Sequence, residues 1–198
     1  MDEKKRDKQT EEEKEESVEA LSKKIKRAER SVKSYQYFVL RLLLLLLVIW
    51  VLFFQIVGLT HMPSGDMYPR IDSGDLLLFY RLDKSVKAQD IVVIEKIPPD
   101  NTEKKLFVAR VVAVAGDTVE ISDAGRLIVN GNTMIETNIF SSTPRYEGYT
   151  EYPLTLGEGE CFVLADNREG GSDSRYFGAV NKSEIAGTVI SVLRRNNL

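Results

Sequence analysis

Cysteine and histidine are each present once in 198 residues, as Cys161 and His61. One thiol cannot close an intramolecular disulfide and one imidazole cannot build a histidine-rich zinc centre, so stability must come from packing. No metal site and no cofactor is expected. An excess of charge of one sign is also lacking: 27 basic residues stand against 30 acidic ones, for a net charge of -3. No basic stripe appears outside one short cluster, which excludes the electrostatic footprint of a nucleic-acid binder. At about 100–200 residues per core, the chain has room for one domain and an appendage and not for a multidomain enzyme.

What charge there is lies mostly at one end. Residues 1–34 are almost all polar, acidic first and then basic through Lys23, Lys24, Lys26, Arg27, Arg30 and Lys33, and they cannot bury a core. Val18, Leu21 and Ile25 fall at helical spacing, and the segment is open to two conformations, a charged helix or a solvated disordered tail. From Leu42 to Leu59 the chain reads LLLLLLVIWVLFFQIVGL, which at about 1.5 Å per residue rises roughly 27 Å, close to the thickness of bilayer hydrocarbon. Tyr35, Tyr37 and Trp50 suit the interfaces, Arg41 can snorkel, and the run exceeds the roughly 7–15 apolar residues of a cleaved signal segment. We expect a charged cytoplasmic tail over 1–34, a transmembrane anchor over 35–59 and an extracytoplasmic domain over 60–198. The orientation follows from lysine and arginine, which crowd the approach to the span, whereas about fifteen residues beyond it hold only Arg70.

Residues 60–198 are built of short apolar runs separated by turn residues: 76–82, 90–95, 106–115, 118–121, 126–135, 161–165 and 185–193. These read as strands. Within 126–135, Asn130-Gly131 is a hairpin signal, because both residues tolerate the positive φ of a tight turn. No long stretch here has helical periodicity, so the expected fold is mainly β and antiparallel. Cys161 begins an apolar strand and reads as a small buried hydrophobe.

Four clusters follow in order: Met62-Pro63-Ser64-Gly65-Asp66-Met67-Tyr68-Pro69; Gly74-Asp75-Leu76-Leu77-Leu78; Ala109-Arg110-Val111-Val112-Ala113-Val114-Ala115-Gly116-Asp117; and ADNREGGSDSRYFG over 165–178. In this order, behind one apolar anchor, they resemble the bacterial type I signal peptidases over about residues 40–195. The resemblance implies a signal-peptidase-type antiparallel β domain on one N-terminal transmembrane helix, and it assigns positions. In that family the first cluster reads P-S-G-S-M-x-P with the second serine as nucleophile, and the third opens K-R with the lysine as general base. The fourth reads G-D-N-x-x-x-S-x-D-S-R, its inner serine orienting the lysine. Here Asp66 stands at the nucleophile position, Ala109 at the general-base position and Gly171 at the lysine-orienting position. Ser64 is retained at the oxyanion-hole position, Met67 and Pro69 carry over to the binding groove, and Asp173 and Arg175 carry over as a structural pair.

A serine hydroxyl attacks an amide only when a neighbour takes its proton, and a lysine does so only when desolvation keeps its amine neutral. An alanine methyl accepts no proton, and a lone carboxylate is a poor amide nucleophile. Two substitutes stay open, Ser64 with Asp66 as its base and an Asp66–Asp173 dyad. Lys105 lies about 13 Å along a strand from residue 109, too far to replace the lysine. Two functions of different classes follow. One is a non-catalytic membrane protein that binds or chaperones secreted surface proteins, with pilins as the client class implied by the resemblance to signal peptidase-like factors of pilus assembly. The other is an active signal peptidase cutting after a small-x-small motif. The missing pair favours the first. In both, the partners are the lipid bilayer and a secreted protein, with no nucleic acid.

Overall fold

The computed structural model describes the backbone of residues 3–194 and the side chains from Leu21 onward, except those of Ser22, Ile25 and Ala28. The expected Val18, Leu21 and Ile25 face therefore lies largely outside the described residues, as do positions 195–198 of the expected domain. Two compact units are present, one ending at Leu52 and one beginning at Phe53.

Helix α1 (Glu3–Ile56) makes up the described part of the first unit, so of the two conformations open for the charged segment the structure has the helix. From Leu42 to Phe54 every side chain exposes more than two-fifths of its surface, and the stretch Glu29–Ile56 is long and apolar enough to cross a membrane. A helix so long and apolar is consistent with a single-pass membrane anchor. The expected span reached Leu59, but the helix ends at Ile56 and Val57–His61 form strand β1. Gly58 accounts for the switch. It weakens a helix, and a Cβ there would lie 2.2 Å from the Phe79 ring, so the two strands meet closely only without one.

The second unit holds ten further strands: β2 (Leu76–Tyr80), β3 (Ile91–Lys96), β4 (Lys105–Val114), β5 (Thr118–Ile121), β6 (Leu127–Val129), β7 (Asn132–Thr133), β8 (Leu154–Thr155), β9 (Glu160–Leu164), β10 (Val180–Asn181) and β11 (Ile185–Leu193). A single helical turn, α2 (Ser174–Phe177), precedes β10. One sheet has the order β1-β2-β11-β3-β4-β9-β10 and the other β7-β6-β5-β8. All neighbouring strands in both sheets are antiparallel. Asn130 and Gly131 turn the β6–β7 hairpin with φ of 52° and 76°, as the Asn-Gly pair predicts.

Strand β4 organises the core. Its residues 107–113 are all buried, and all but Arg110 divide among three apolar clusters. Phe107, Ala109 and Val111 pack with Val92, Val163 and Phe177. Val108 packs with the β1–β2 side of the sheet, and Val112 and Ala113 pack with β5 and β6. A register shift against β9 between Val111 and Ala113 lets one strand serve clusters that strict alternation would keep apart.

Candidate functional site

The loop joining β1 to β2 carries the first cluster. It is closed at its base by Met62 N–H to the Asp75 carbonyl (2.8 Å) and Gly74 N–H to the Met62 carbonyl (3.0 Å). Met62, Met67 and Ile71 plug it into the core against Leu77, Phe79, Val93 and Val108. Met67, expected in the groove, is 0% exposed, whereas Pro69 is exposed. With its far half fixed in this way, the loop holds Ser64-Gly65-Asp66 at the surface, half-buried.

Burial pushes the Asp66 carboxyl above its ordinary 3.8, and the nearby Asp173 charge adds to the rise. The Ser64 hydroxyl and the Ser172 backbone N–H, both directed at the carboxylate, oppose it. Among the described residues Asp66 forms no ion pair, although pairing with an arginine would offset the cost of its burial. The Asp66 carbonyl accepts from Asn167 N–H at 2.8 Å, which ties the first cluster to the fourth.

Ala109 lies in the middle of β4, opposite Val92 of β3, and is 0% exposed. Its methyl faces the cluster of Val92, Val111, Val163 and Phe177, an apolar setting with no proton acceptor. The next residue, Arg110, pairs bidentately with Asp166 (Nε to Oδ1 2.8 Å, Nη2 to Oδ2 2.6 Å), and both side chains are buried. This pair fixes the third cluster to the fourth as firmly as Asn167 fixes the first.

Two buried arginines hold the fourth cluster in shape. Arg175 donates to both carboxylate oxygens of Asp173 (2.9 and 2.8 Å) and to the Arg168 and Pro144 carbonyls. Arg168 donates to the Ala165 carbonyl, to Thr143 and to both oxygens of Glu136. Arg168, Asp173 and Arg175 are each 0% exposed. Asp173 also accepts from the Ala165 and Arg175 backbone N–H groups, so each of its oxygens takes two hydrogen bonds. With four acceptor sites filled it cannot share a proton with Asp66, and the Asp66–Asp173 dyad is excluded.

Gly171 is buried against Ala165, and sequence reasoning missed that contact. A Cβ at 171 would come within 2.1 Å of the Ala165 Cβ and 2.8 Å of the Asn167 carbonyl oxygen. The alanine methyl fills the space a serine side chain would enter. The signal was in the sequence, since Ala165 occupies the first place of a cluster that otherwise opens G-D-N. Equally unforeseen are the Ser172 N–H directed at Asp66, the Glu136 partner of Arg168, and Tyr146, whose hydroxyl donates to the Gly171 carbonyl at 3.0 Å. A cavity of about 450 Å³ opens on the other side of Gly171 and Ser172, reaching Phe107 and Lys105 of β4. Among the described residues, no three His, Cys, Asp or Glu side chains are grouped to hold a metal ion.

A family model described as signal peptidase, peptidase S26, matches residues 33–193. Thylakoidal processing peptidase 1 of Arabidopsis thaliana is 32% identical over 136 residues, 64% of this chain and 38% of that protein. A signal peptidase I of Bacillus licheniformis is 32% identical over 133 residues, 62% of this chain and 68% of that protein. The plasmid transfer protein TraF of Escherichia coli is 36% identical over 87 residues, covering 42% and 49% of the two. A solved structure of a signal peptidase I from Enterococcus faecalis V583 is similar at 31% identity with a TM-score of 0.40, over 54% of this chain and 97% of that one. The chain spans 38%, 35% and 58% of the length of the first three curated relatives it matches.

Proposed function

We propose that this chain, which belongs to the signal peptidase family, peptidase S26, is a member that binds secreted proteins at the membrane surface without cutting them. The observation that carries this reading is the chemistry at the positions of the expected pair. Asp66 offers a carboxylate in contact with Ser64 and Ser172, and Ala109 offers a methyl packed in an apolar cluster. Ser64 with Asp66 as its base is a weak substitute, because a carboxylate is a far weaker base than the neutral amine of a lysine and drives proton removal from a serine poorly. A groove without the pair keeps its main-chain edges, and an extended client can bind there by strand addition.

The apolar helix serves as the anchor in this reading. Its basic N-terminal flank lies in the cytoplasm and the β domain lies outside, within reach of proteins leaving the membrane. The resemblance to signal peptidase-like factors of pilus assembly makes pilins the first client class to test. The competing reading, an active peptidase cutting after a small-x-small motif, is favoured by relatives named signal peptidase I and thylakoidal processing peptidase.

Cleavage of a small-x-small signal-peptide substrate by the full-length protein in detergent separates the two. The natural protein is expected to be silent, and so are Asp66→Ala and Ser64→Ala. A variant combining Asp66→Ser, Ala109→Lys, Gly171→Ser and Ala165→Gly is expected to gain cleavage, the last change making room for the third. Cutting by the natural protein that Asp66→Ala or Ser64→Ala abolishes would sink the non-catalytic reading.

A further inference from the structure

The cavity beside Gly171 and Ser172 has a lining that the groove argument does not use. Three aromatic side chains, Phe107, Tyr146 and Tyr176, form its walls, and the carboxylates of Asp100 and Glu169 stand with them against one amine, that of Lys105. The Tyr176 hydroxyl donates to Asp100 and so holds that carboxylate in place. Lys105 forms no ion pair among the described residues, which leaves both carboxylates without a cation.

Aromatic faces attract cations, and carboxylates nearby add to that attraction. The molecule already uses the first effect at one wall: the Arg175 guanidinium lies 4.2 Å from the centroid of the Tyr146 ring. At about 450 Å³ the cavity is within the usual range for a ligand site, roughly 300–1,000 Å³, and large for a single small apolar side chain. Its lining charge, one amine against two carboxylates, repels an acidic side chain and leaves an apolar one beside unpaired charge.

We propose that this cavity is a subsite for a long basic side chain, lysine or arginine, of an extended client peptide. The proposal deepens the peptide-binding reading above and rests on it for the nature of the client. The alkyl stem lies along Phe107 and Tyr176, and the charged head meets Asp100 and Glu169. Client recognition then needs a basic residue at one fixed distance from the segment bound near Asp66.

The test uses full-length protein in detergent and fluorescein-labelled peptides that differ at one central position, carrying lysine, arginine, norleucine or glutamate. Anisotropy is expected to show lysine and arginine peptides binding about tenfold tighter than the norleucine peptide, with glutamate weakest. Asp100→Asn combined with Glu169→Gln is expected to remove that preference, and Lys105→Met to increase it. Equal binding of the lysine and norleucine peptides overturns the subsite while the peptide-binding reading stands. If no peptide binds, the client reading fails, and the subsite is judged alone by titrating n-butylammonium ion and following the amide resonances of residues 170–172. Saturable shifts that Asp100→Asn with Glu169→Gln abolishes uphold a cation site there, and absent shifts overturn it.

Discussion

A half-buried carboxyl without a cation makes Asp66 a destabilising residue at neutral pH. Burial raises its pKa above 3.8, so between 3.8 and the raised value the folded state binds more protons than the unfolded one, and stability falls as pH rises through that window. Above the window the penalty is present in full, and below 3.8 it is gone. Asp66→Asn is therefore expected to raise the denaturation midpoint at pH 7 over that of the natural protein. The gap should close as pH falls toward 3.8. A variant equally stable at pH 7, or a gap that widens on acidification, would show that the Ser64 and Ser172 hydrogen bonds outweigh burial. In the same site, the contact of Gly171 with Ala165 sets a second expectation. Gly171→Ser alone should cost about 1–3 kcal/mol by overpacking, and adding Ala165→Gly should return the part owed to the Ala165 methyl, the 2.8 Å approach to the Asn167 carbonyl oxygen remaining. A double-mutant cycle in urea reads the coupling, and additivity of the two changes would mean that the loop yields instead.

Between clusters, the elements are held by buried ion pairs rather than by long helices or disulfides. Asp173→Ala leaves Arg175 fully buried without its carboxylate and is expected to cost about 3–5 kcal/mol in denaturant unfolding. Exposed Asp123, whose Arg145 partner is itself 39% exposed, should cost under about 1 kcal/mol when changed to alanine. A comparable loss at both sites would contradict the assignment of burial as the deciding factor. The Asp173–Arg175 pair was legible in the sequence because both residues fall in one motif. The Arg168–Glu136 pair was not, since 32 residues separate its members and nothing in a single chain marks them as partners. The strands follow the same rule. Every run with enough apolar residues to show its period was found, from 76–82 to 185–193, whereas β8 and β10 are two residues each and have no period to read. Strand β1 escaped for a different reason: Val57, Gly58 and Leu59 extend the apolar run, and only the contact of Gly58 with Phe79 shows where helix gives way to strand.

At the scale of the whole molecule, orientation in the membrane decides whether the β domain meets secreted clients at all, and the lone cysteine makes that measurable. Cys161 is 1% exposed, and burial, with the Glu184 charge, pushes its thiol up to about 12. At pH 7 only on the order of one such thiol in 10⁵ is ionised, so a membrane-impermeant maleimide should leave the natural protein unlabelled. Against that silent background, single cysteines report their side of the membrane. Ser34 precedes the continuous apolar run that begins at Leu42, and Glu158 lies in an exposed turn of the β domain. In intact cells Glu158→Cys is expected to label, and Ser34→Cys only after the membrane is permeabilised. The expectation follows from the basic residues between Lys23 and Lys33, each of which favours the cytoplasmic leaflet by roughly 1 kcal/mol where the lipid is anionic. Labelling of Ser34→Cys in intact cells, with Glu158→Cys protected, would place the β domain in the cytoplasm and remove it from any client that has crossed the membrane. The opposite pattern puts the β domain on the side of the membrane that the proposed binding requires.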